Sequence, residues 1–291
     1  MTADLNAATD FVYSNARLLE RHRFAHLVDG GGAERVLDVV RAYRNPDGGF
    51  GHAIEPDMRG PVSQPVGAQT AMEILHEVGV HDDPMVGAAC GWLATVTRDD
   101  GGVPFCLPSA ADYPHAPWWQ PSDASSLTQT AANAAAMHAL GARHAWLDGA
   151  SEFCWRRVEA LDLSAGASDP GLAYDLIFGI AFLDAVPDAA RAEAVLDALA
   201  QRLPASGVVA EPGSEGDVHT PLEFSPRPGS RSRRLFDADA IERDLDALAA
   251  GQRDDGGWTV RFPAWHPVAG HEWRGIATVH AVRVLRANGR L

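Results

Sequence analysis

Apolar positions recur at helical spacing in several parts of the chain. Charged residues occupy the opposite side of the same segments, as in a helix that keeps one face in water. The pattern occurs at Val36, Val40 and Tyr43, at Leu196, Leu199 and Leu203, and at Ile241, Leu245 and Leu248. These segments predict amphipathic outer helices.

Two other segments are small or apolar on every side, namely residues 127–140 and 172–186. A helix without a polar face is a buried one. Alternation of the two kinds is typical of a two-layer ring, because inner helices touch neighbours on both sides. The pattern therefore predicts an all-α fold, a single (α/α) toroid domain over residues 1–291, similar to an α/α6 barrel.

One turn recurs between these helices, at 45–50, 98–103 and 253–258, with a degenerate copy at 205–208. The first two copies are 53 residues apart and the next interval is 155, close to three periods, so a further corner is expected at 164–168. Glycine adopts the positive φ that ends a helix, and aspartate bonds to turn amides. The Asp-Gly-Gly strings thus predict corners of the ring rather than chemistry.

Residues 204–236 interrupt the pattern. They contain five prolines and three closely spaced arginines, and they show no helical period. Proline removes a backbone donor and ends helices. We expect an irregular loop or lid here in place of a regular inner helix.

The corner 252–258 reads Q-R-D-D-G-G-W and resembles the Q-x-x-D-G-x-W corner of the terpenoid cyclase and protein prenyltransferase superfamily, whose members carry prenyltransferase and squalene oxidase-type repeats. The stretch 45–51 is similar to the G-G-F-x-G corner of prenyltransferases. The resemblance covers about residues 33–288 and implies an α/α toroid.

The catalytic motifs of that superfamily are missing. The string nearest to D-x-D-D begins at Asp237 and lacks the last aspartate, and Asp82-Asp83 is not followed by the rest of D-D-x-x-D. No cysteine has an aspartate two residues before it, as the zinc site of prenyltransferases requires. The resemblance therefore implies the fold of a divergent member, without the known catalytic residues.

The composition limits the classes of partner and chemistry that we expect for this chain. The net charge of −15 disfavours nucleic acid, whose binding depends on basic patches. All 24 basic residues are arginine, which excludes Schiff-base and pyridoxal chemistry. No apolar run reaches the roughly 18 residues of a transmembrane helix, and the first ten residues lack a signal-peptide pattern, so we expect a cytoplasmic protein. The family resemblance implies that it binds a small hydrophobic substrate. The oligomeric state is not predicted.

Candidate chemistry lies in the loops that follow the corners, because the inner helices of such a ring start on one rim and point free amides at the centre. As acids or bases we select Asp57, Asp123, Asp175 and His271. An Asp57–Arg59 ion pair that only shapes its loop, and a satisfied core position for Asp175, are the alternatives. Residues expected to bind substrate are Glu55, Arg59, Trp118, Trp119, Trp265, His266, Glu272 and Trp273.

No cofactor or metal is predicted. A divalent metal between His266, His271, Glu272, Asp57 and His219 is an alternative, but no spacing here matches an established ligand motif. A solvated polar rim explains the same residues.

Three functions compete. The leading hypothesis is a terpene-cyclase-like or prenyltransferase-like enzyme that acts on an isoprenoid-type substrate in the central cavity, between aromatic walls. A carbohydrate-active (α/α) barrel hydrolase or lyase is the main alternative, since paired carboxylates and tryptophans suit sugars. The third is a ligand-binding toroid without catalysis.

Overall fold

A computed structural model describes residues 2–163, 171–210 and 218–291, and this part of the chain is predominantly helical. None of the helices in these ranges is long and apolar enough to cross a bilayer. The α-helices are α1 Leu5–Asn15, α2 Leu18–Asp29, α3 Ala33–Arg41, α4 Pro65–Glu77, α5 Pro84–Val96, α6 Leu127–Ala139, α7 Ala145–Glu159, α8 Leu172–Ala185, α9 Ala189–Ala200, α10 Pro221–Phe224, α11 Ala238–Ala250 and α12 Pro267–Ala287.

Short strands and 3-10 turns complete the described chain. Strand β1, Val103–Pro104, pairs antiparallel with β2, Ser125–Ser126, so that Val103 lies opposite Ser126. Strand β3, Val209–Ala210, pairs in the same sense with β4, Val218–His219. The 3-10 helices are Pro108–Ala110 and Arg231–Leu235.

Polar side chains set where many of the helices begin. N-cap side chains accept hydrogen bonds from amides of the first turn, which otherwise lack partners; they are Asp4, Asp83, Ser126, Asp188 and Asp237. Proline opens α4, α5, α10 and α12, where its missing amide costs nothing. Asp237, the first residue of the string nearest to D-x-D-D, is therefore the N-cap of α11.

Burial separates the two kinds of helix. Every residue of α6 from Leu127 to Met137 is buried, and α6 packs against α4, α7 and α8. By contrast, α3 buries only Val36, Leu37 and Val40 along one side. The predicted difference between fully apolar and amphipathic helices is confirmed for these two.

The three Asp-Gly-Gly corners share one conformation. Their first glycines have positive φ angles of 94° at Gly48, 91° at Gly101 and 90° at Gly256. In each corner the aspartate side chain accepts a hydrogen bond from the amide of the second glycine, at 2.9, 3.0 and 3.2 Å respectively. The predicted role of these residues in turn geometry is confirmed.

Each corner also lies in close contact with another helix. A Cβ atom on Gly48 would lie 2.7 Å from the carbonyl oxygen of Ala88 in α5, and Gly101 meets α7 in the same way. A Cβ atom on Gly256 would lie 2.1 Å from the carbonyl oxygen of Ala7 in α1. Because α12 packs on α1 and α2 as well, the two ends of the chain are joined.

Two expectations concern the middle of the chain. The corner expected at 164–168 lies outside the described residues. Between α9 and α11, the described chain turns at Gly207, with a φ of 67°, and then forms β3, β4, the four-residue helix α10 and the 3-10 turn Arg231–Leu235.

The contact between Gly256 and α1 predicts a large loss of stability when a side chain is added. In Gly256→Ala the methyl group meets the backbone of Ala7 and the positive φ is strained, so we expect the free energy of unfolding to fall by about 3 kcal/mol or more. Gly30→Ala is the control, since Gly30 also has a positive φ but open space around it, and should cost about 1 kcal/mol. Equal losses in urea unfolding would contradict the close contact.

Candidate functional site

Two loops lie side by side and hold Asp57 between them. The amide of Ala116 donates to the backbone carbonyl of Asp57 at 2.9 Å, and the amide of Arg59 donates to the carbonyl of Pro114 at 3.0 Å. These bonds connect the loop after the first corner with the loop after the second. The position of Asp57 therefore depends on both loops.

The first of these loops begins with two strained residues. His52 and Ala53 have φ angles of 57° and 61°, in the left-handed region that side chains disfavour. The carbonyl of Ala53 accepts a hydrogen bond from Arg17 at 2.8 Å, which helps to hold this conformation. Such strain costs on the order of 1–3 kcal/mol per residue and is concentrated at functional sites.

The Asp57 carboxyl lies among indole rings. Trp265 Nε1 donates to Asp57 Oδ1 at 2.8 Å. Burial raises the pKa of Asp57 above its ordinary value, while the nearby Trp273 and Trp265 indoles act in the opposite direction. Trp273 Nε1 is itself buried without a hydrogen-bond partner among the described residues. Asp57 is thus a buried acid whose anion one indole N–H stabilises directly.

Glu55 is a second buried carboxyl beside it. Its pKa is raised well above the ordinary value, first by burial and then by the Asp57 charge. Glu55 Oε2 has no hydrogen-bond partner in the described part of the chain. Both effects favour the protonated form of Glu55.

An ion-pair chain closes the same region. Arg59 Nη1 lies 2.5 Å from Glu272 Oε2, and Arg17 Nη1 lies 3.8 Å from the same oxygen. Arg17 also donates to both carboxylate oxygens of Glu20, at 2.8 and 3.0 Å. Among the described residues Arg59 therefore pairs with Glu272, and the alternative Arg59–Asp57 ion pair does not form.

The two adjacent tryptophans have different environments. Trp119 is buried and stacks on Phe105, with 4.5 Å between ring centroids. Trp118 is 41% exposed and makes an edge contact with Phe262, which in turn contacts Trp273 at 5.3 Å. Trp118 thus extends the aromatic surface outward from Asp57, whereas Trp119 belongs to the packing beneath it.

Three selected residues make their contacts elsewhere. Asp123 pairs with Arg98 at the surface, and the N-cap of the following helix α6 is Ser126. His271 is exposed, with Nε2 3.0 Å from the carbonyl oxygen of Asn15. His266 lies beside Trp265, but its Nδ1 caps α12.

Asp175 belongs to a second polar group on α8. Its Oδ1 accepts a hydrogen bond from Thr128 Oγ1 at 2.6 Å. The neighbouring Tyr174 contacts the buried His219 ring at 5.0 Å. Within the described ranges, no three His, Cys, Asp or Glu side chains converge as metal ligands would.

A charged cluster escaped the sequence analysis. Arg23 donates to Glu77 through two hydrogen bonds, of 2.9 and 2.7 Å, and Arg283 approaches the same carboxylate to 3.4 Å. Glu73 and His280 lie in the same region, where α2, α4 and α12 meet. We call these five residues the inner charge cluster. The available signal was the pair of acidic residues, Glu73 and Glu77, in the otherwise mostly apolar helix α4.

Two members of the inner charge cluster are exposed. Glu73 and His280 retain solvent-exposed surface. Even so, burial is the main influence on both groups, raising the pKa of Glu73 and lowering that of His280 to about 4. Both groups are therefore accessible to solvent and yet strongly influenced by the protein around them.

Comparisons with known proteins support the fold only. No protein-family model matches the chain, and no curated protein is similar to it. A solved protein from Actinoplanes has 16% identity, with 98% of each chain covered and a TM-score of 0.60. A variant of the type II terpene cyclase MstE from Scytonema, solved in complex with its substrate geranylgeranyl dihydroxybenzoate, has 15% identity and a TM-score of 0.57, covering 98% of this chain and 96% of that one. The chain therefore has a terpene-cyclase-like fold.

The Glu77 ion pair predicts a pH-dependent stability. Burial by itself would raise the pKa of Glu77, but Arg23 lowers it from 4.5 to about 2, so its contribution is complete above pH 4.5 and disappears as the pH falls through about 2. We expect Glu77→Gln to lose about 3 kcal/mol at pH 7 and to flatten the pH dependence of unfolding in this window. Glu242→Gln removes an exposed pair with Arg290 and should cost less than about 1 kcal/mol. Equal effects of the two changes would contradict this assignment.

Proposed function

We propose that this chain is an (α/α) toroid enzyme that uses acid catalysis of the terpene-cyclase type on an isoprenoid-like substrate in its central space. The repeated corner contacts support the toroid, since Gly48 meets α5, Gly101 meets α7 and Gly256 returns to α1. The fold likeness to MstE, which was solved with a prenylated substrate, supports the reaction class by analogy.

The buried Asp57 carboxyl, with the Trp265 N–H donated to it, carries the proposal. An acid that protonates a carbon–carbon double bond must hold its proton at neutral pH and then be stabilised as an anion. Burial raises the pKa of Asp57, and the Trp265 N–H lies 2.8 Å from the oxygen that would become charged. Glu55, a second buried carboxyl next to it, is the proton reservoir in this scheme.

Aromatic and apolar surfaces supply the rest of the chemistry. Indole faces stabilise positive charge without reacting with it, and Trp265 and Trp273 both border the acid. Ile177 and Phe178 are only partly buried on the otherwise apolar helix α8, and we place them on the wall of the central space. A wall of this kind excludes water from a carbocation.

A carbohydrate substrate is the second candidate, favoured by one observation. The amide oxygens of Gln69, Gln129 and Asn133 are buried without hydrogen-bond partners in the described chain. Buried acceptors of this kind are costly unless a ligand or water satisfies them, and sugar hydroxyls would do so. In that case Asp57 and Glu55 would be the two carboxylates of a glycosidase or lyase.

Substitution of the acid tests the proposal. We expect the wild-type chain to cyclise allylic diphosphates or squalene-like polyenes, and Asp57→Asn to lower the rate by about 10²- to 10⁴-fold. Asp123→Asn is the control, because this aspartate is paired at the surface. Gas chromatography of hydrocarbon products and a reducing-sugar assay with oligosaccharides separate the two candidate functions. No turnover of any substrate by the wild type would leave only a ligand-binding toroid.

Removal of the indole donor should shift the pH profile. The rate should fall as the pH rises through the pKa of Asp57, because only the protonated acid reacts. The Trp265 N–H stabilises the carboxylate, so its loss in Trp265→Phe should raise that pKa and move the alkaline limb up by about one pH unit. Trp118→Phe, which changes an exposed ring, is the control. An unmoved limb in Trp265→Phe would contradict the role of Asp57 as the acid.

A further inference from the structure

Basic side chains gather near the C-terminal ends of α4 and α12, although the chain carries a net charge of −15. Arg283 of α12 and Arg23 of α2 both face Glu77, the last residue of α4. Arg227, which follows α10, lies close enough to Arg283 to lower its pKa. Cationic groups from two helices and one connecting segment thus converge near the end of α4.

The Glu77 carboxylate interacts more closely with Arg23 than with Arg283. Glu77 accepts two hydrogen bonds from Arg23, and the two side chains are 6% and 11% exposed. Arg283 lies farther from the same carboxylate, at 3.4 Å, and its side chain is 41% exposed. Guanidinium carries five N–H donors arranged to bind a planar anion. Glu77 is therefore committed to Arg23, and the Arg283 guanidinium faces accessible space.

The groups around Arg283 include a further carboxylate, Glu73, and two side chains that can donate to an anion, His280 and Arg227. Arg283 Nη2 lies 3.3 Å from His280 Nδ1, an arrangement in which Nδ1 accepts and Nε2 carries the ring proton. Burial lowers the pKa of His280 to about 4, so the ring is neutral at pH 7 and Nε2–H is a donor. Arg227 Nη1 lies 3.2 Å from His76 Nε2, which holds the Arg227 side chain beside the cluster.

We propose that Arg283, with His280 and Arg227, binds the anionic head group of an amphiphilic ligand whose apolar chain runs along α12 toward Asp57. Trp273, beside Asp57, precedes Arg283 by ten residues on this helix, which corresponds to about 15 Å. An extended chain between the two would carry its reacting end at the acid. The placement of the reacting end at Asp57 rests on the proposed function, whereas the anion site does not depend on it.

Binding of three ligands with one chain and different head groups tests the site. Farnesoate, farnesyl diphosphate and farnesol are titrated into the full chain carrying Asp57→Asn, so that no turnover interferes, and binding is followed by calorimetry. We expect at least one of the two anions to bind more tightly than the alcohol. Arg283→Gln should weaken that anion by about 10-fold or more while farnesol binding is unchanged. The preferred anion identifies the head group as a carboxylate or a diphosphate.

Two controls separate binding from folding. Arg286→Gln changes an exposed arginine three residues later on α12 and should bind all three ligands like its parent. If Arg283→Gln does not fold, Arg227→Gln, which is exposed, should weaken anion binding in the same direction. Farnesol bound as tightly as both anions, or an equal loss for all three ligands in the folded variant, would overturn the proposal. If anion binding depends on Arg283 but the wild-type chain turns over no polyene, the proposed function is refuted and the anion site is not.

Discussion

The close contact between each glycine corner and another outer helix is the constraint on which the remaining structure depends. Only a residue without Cβ fits at Gly48, Gly101 and Gly256, where backbone oxygens of α5, α7 and α1 approach. The contact also brings the last corner against the first helix. Because it recurs at equivalent positions, the loops that follow the corners lie together, and distant parts of the chain can share one site.

The site at Asp57 is a consequence of this arrangement. Its two buried carboxyls, Asp57 and Glu55, lie where loops from different hairpins meet, and burial raises the pKa of both. The energetic cost is offset by the Trp265 donor and by the ion pairs that fix Glu272 and Arg59 nearby. Two carboxyls of raised pKa, aromatic faces and a strained loop therefore coincide in this neighbourhood.

Sequence reasoning located this neighbourhood because it followed the corners. It selected Asp57, Arg59, Glu272, Trp265 and Trp273, and the structure brings all of them together. It failed for residues whose surroundings are formed by other segments, such as Asp123, which is paired at the surface, and the inner charge cluster on α2, α4 and α12. Position after a corner indicates the rim but not the direction of a side chain.

The sequence by itself determined the helices and their corners, because helical period, N-cap residues and glycine conformation are local properties. The tertiary structure decided which carboxyls are buried and which charges are paired. Trp265 lies 208 residues after Asp57, and Glu272 lies 213 residues after Arg59. A pKa depends on whatever charges, donors and protein atoms surround a group, so contacts at such separations cannot be inferred from local patterns.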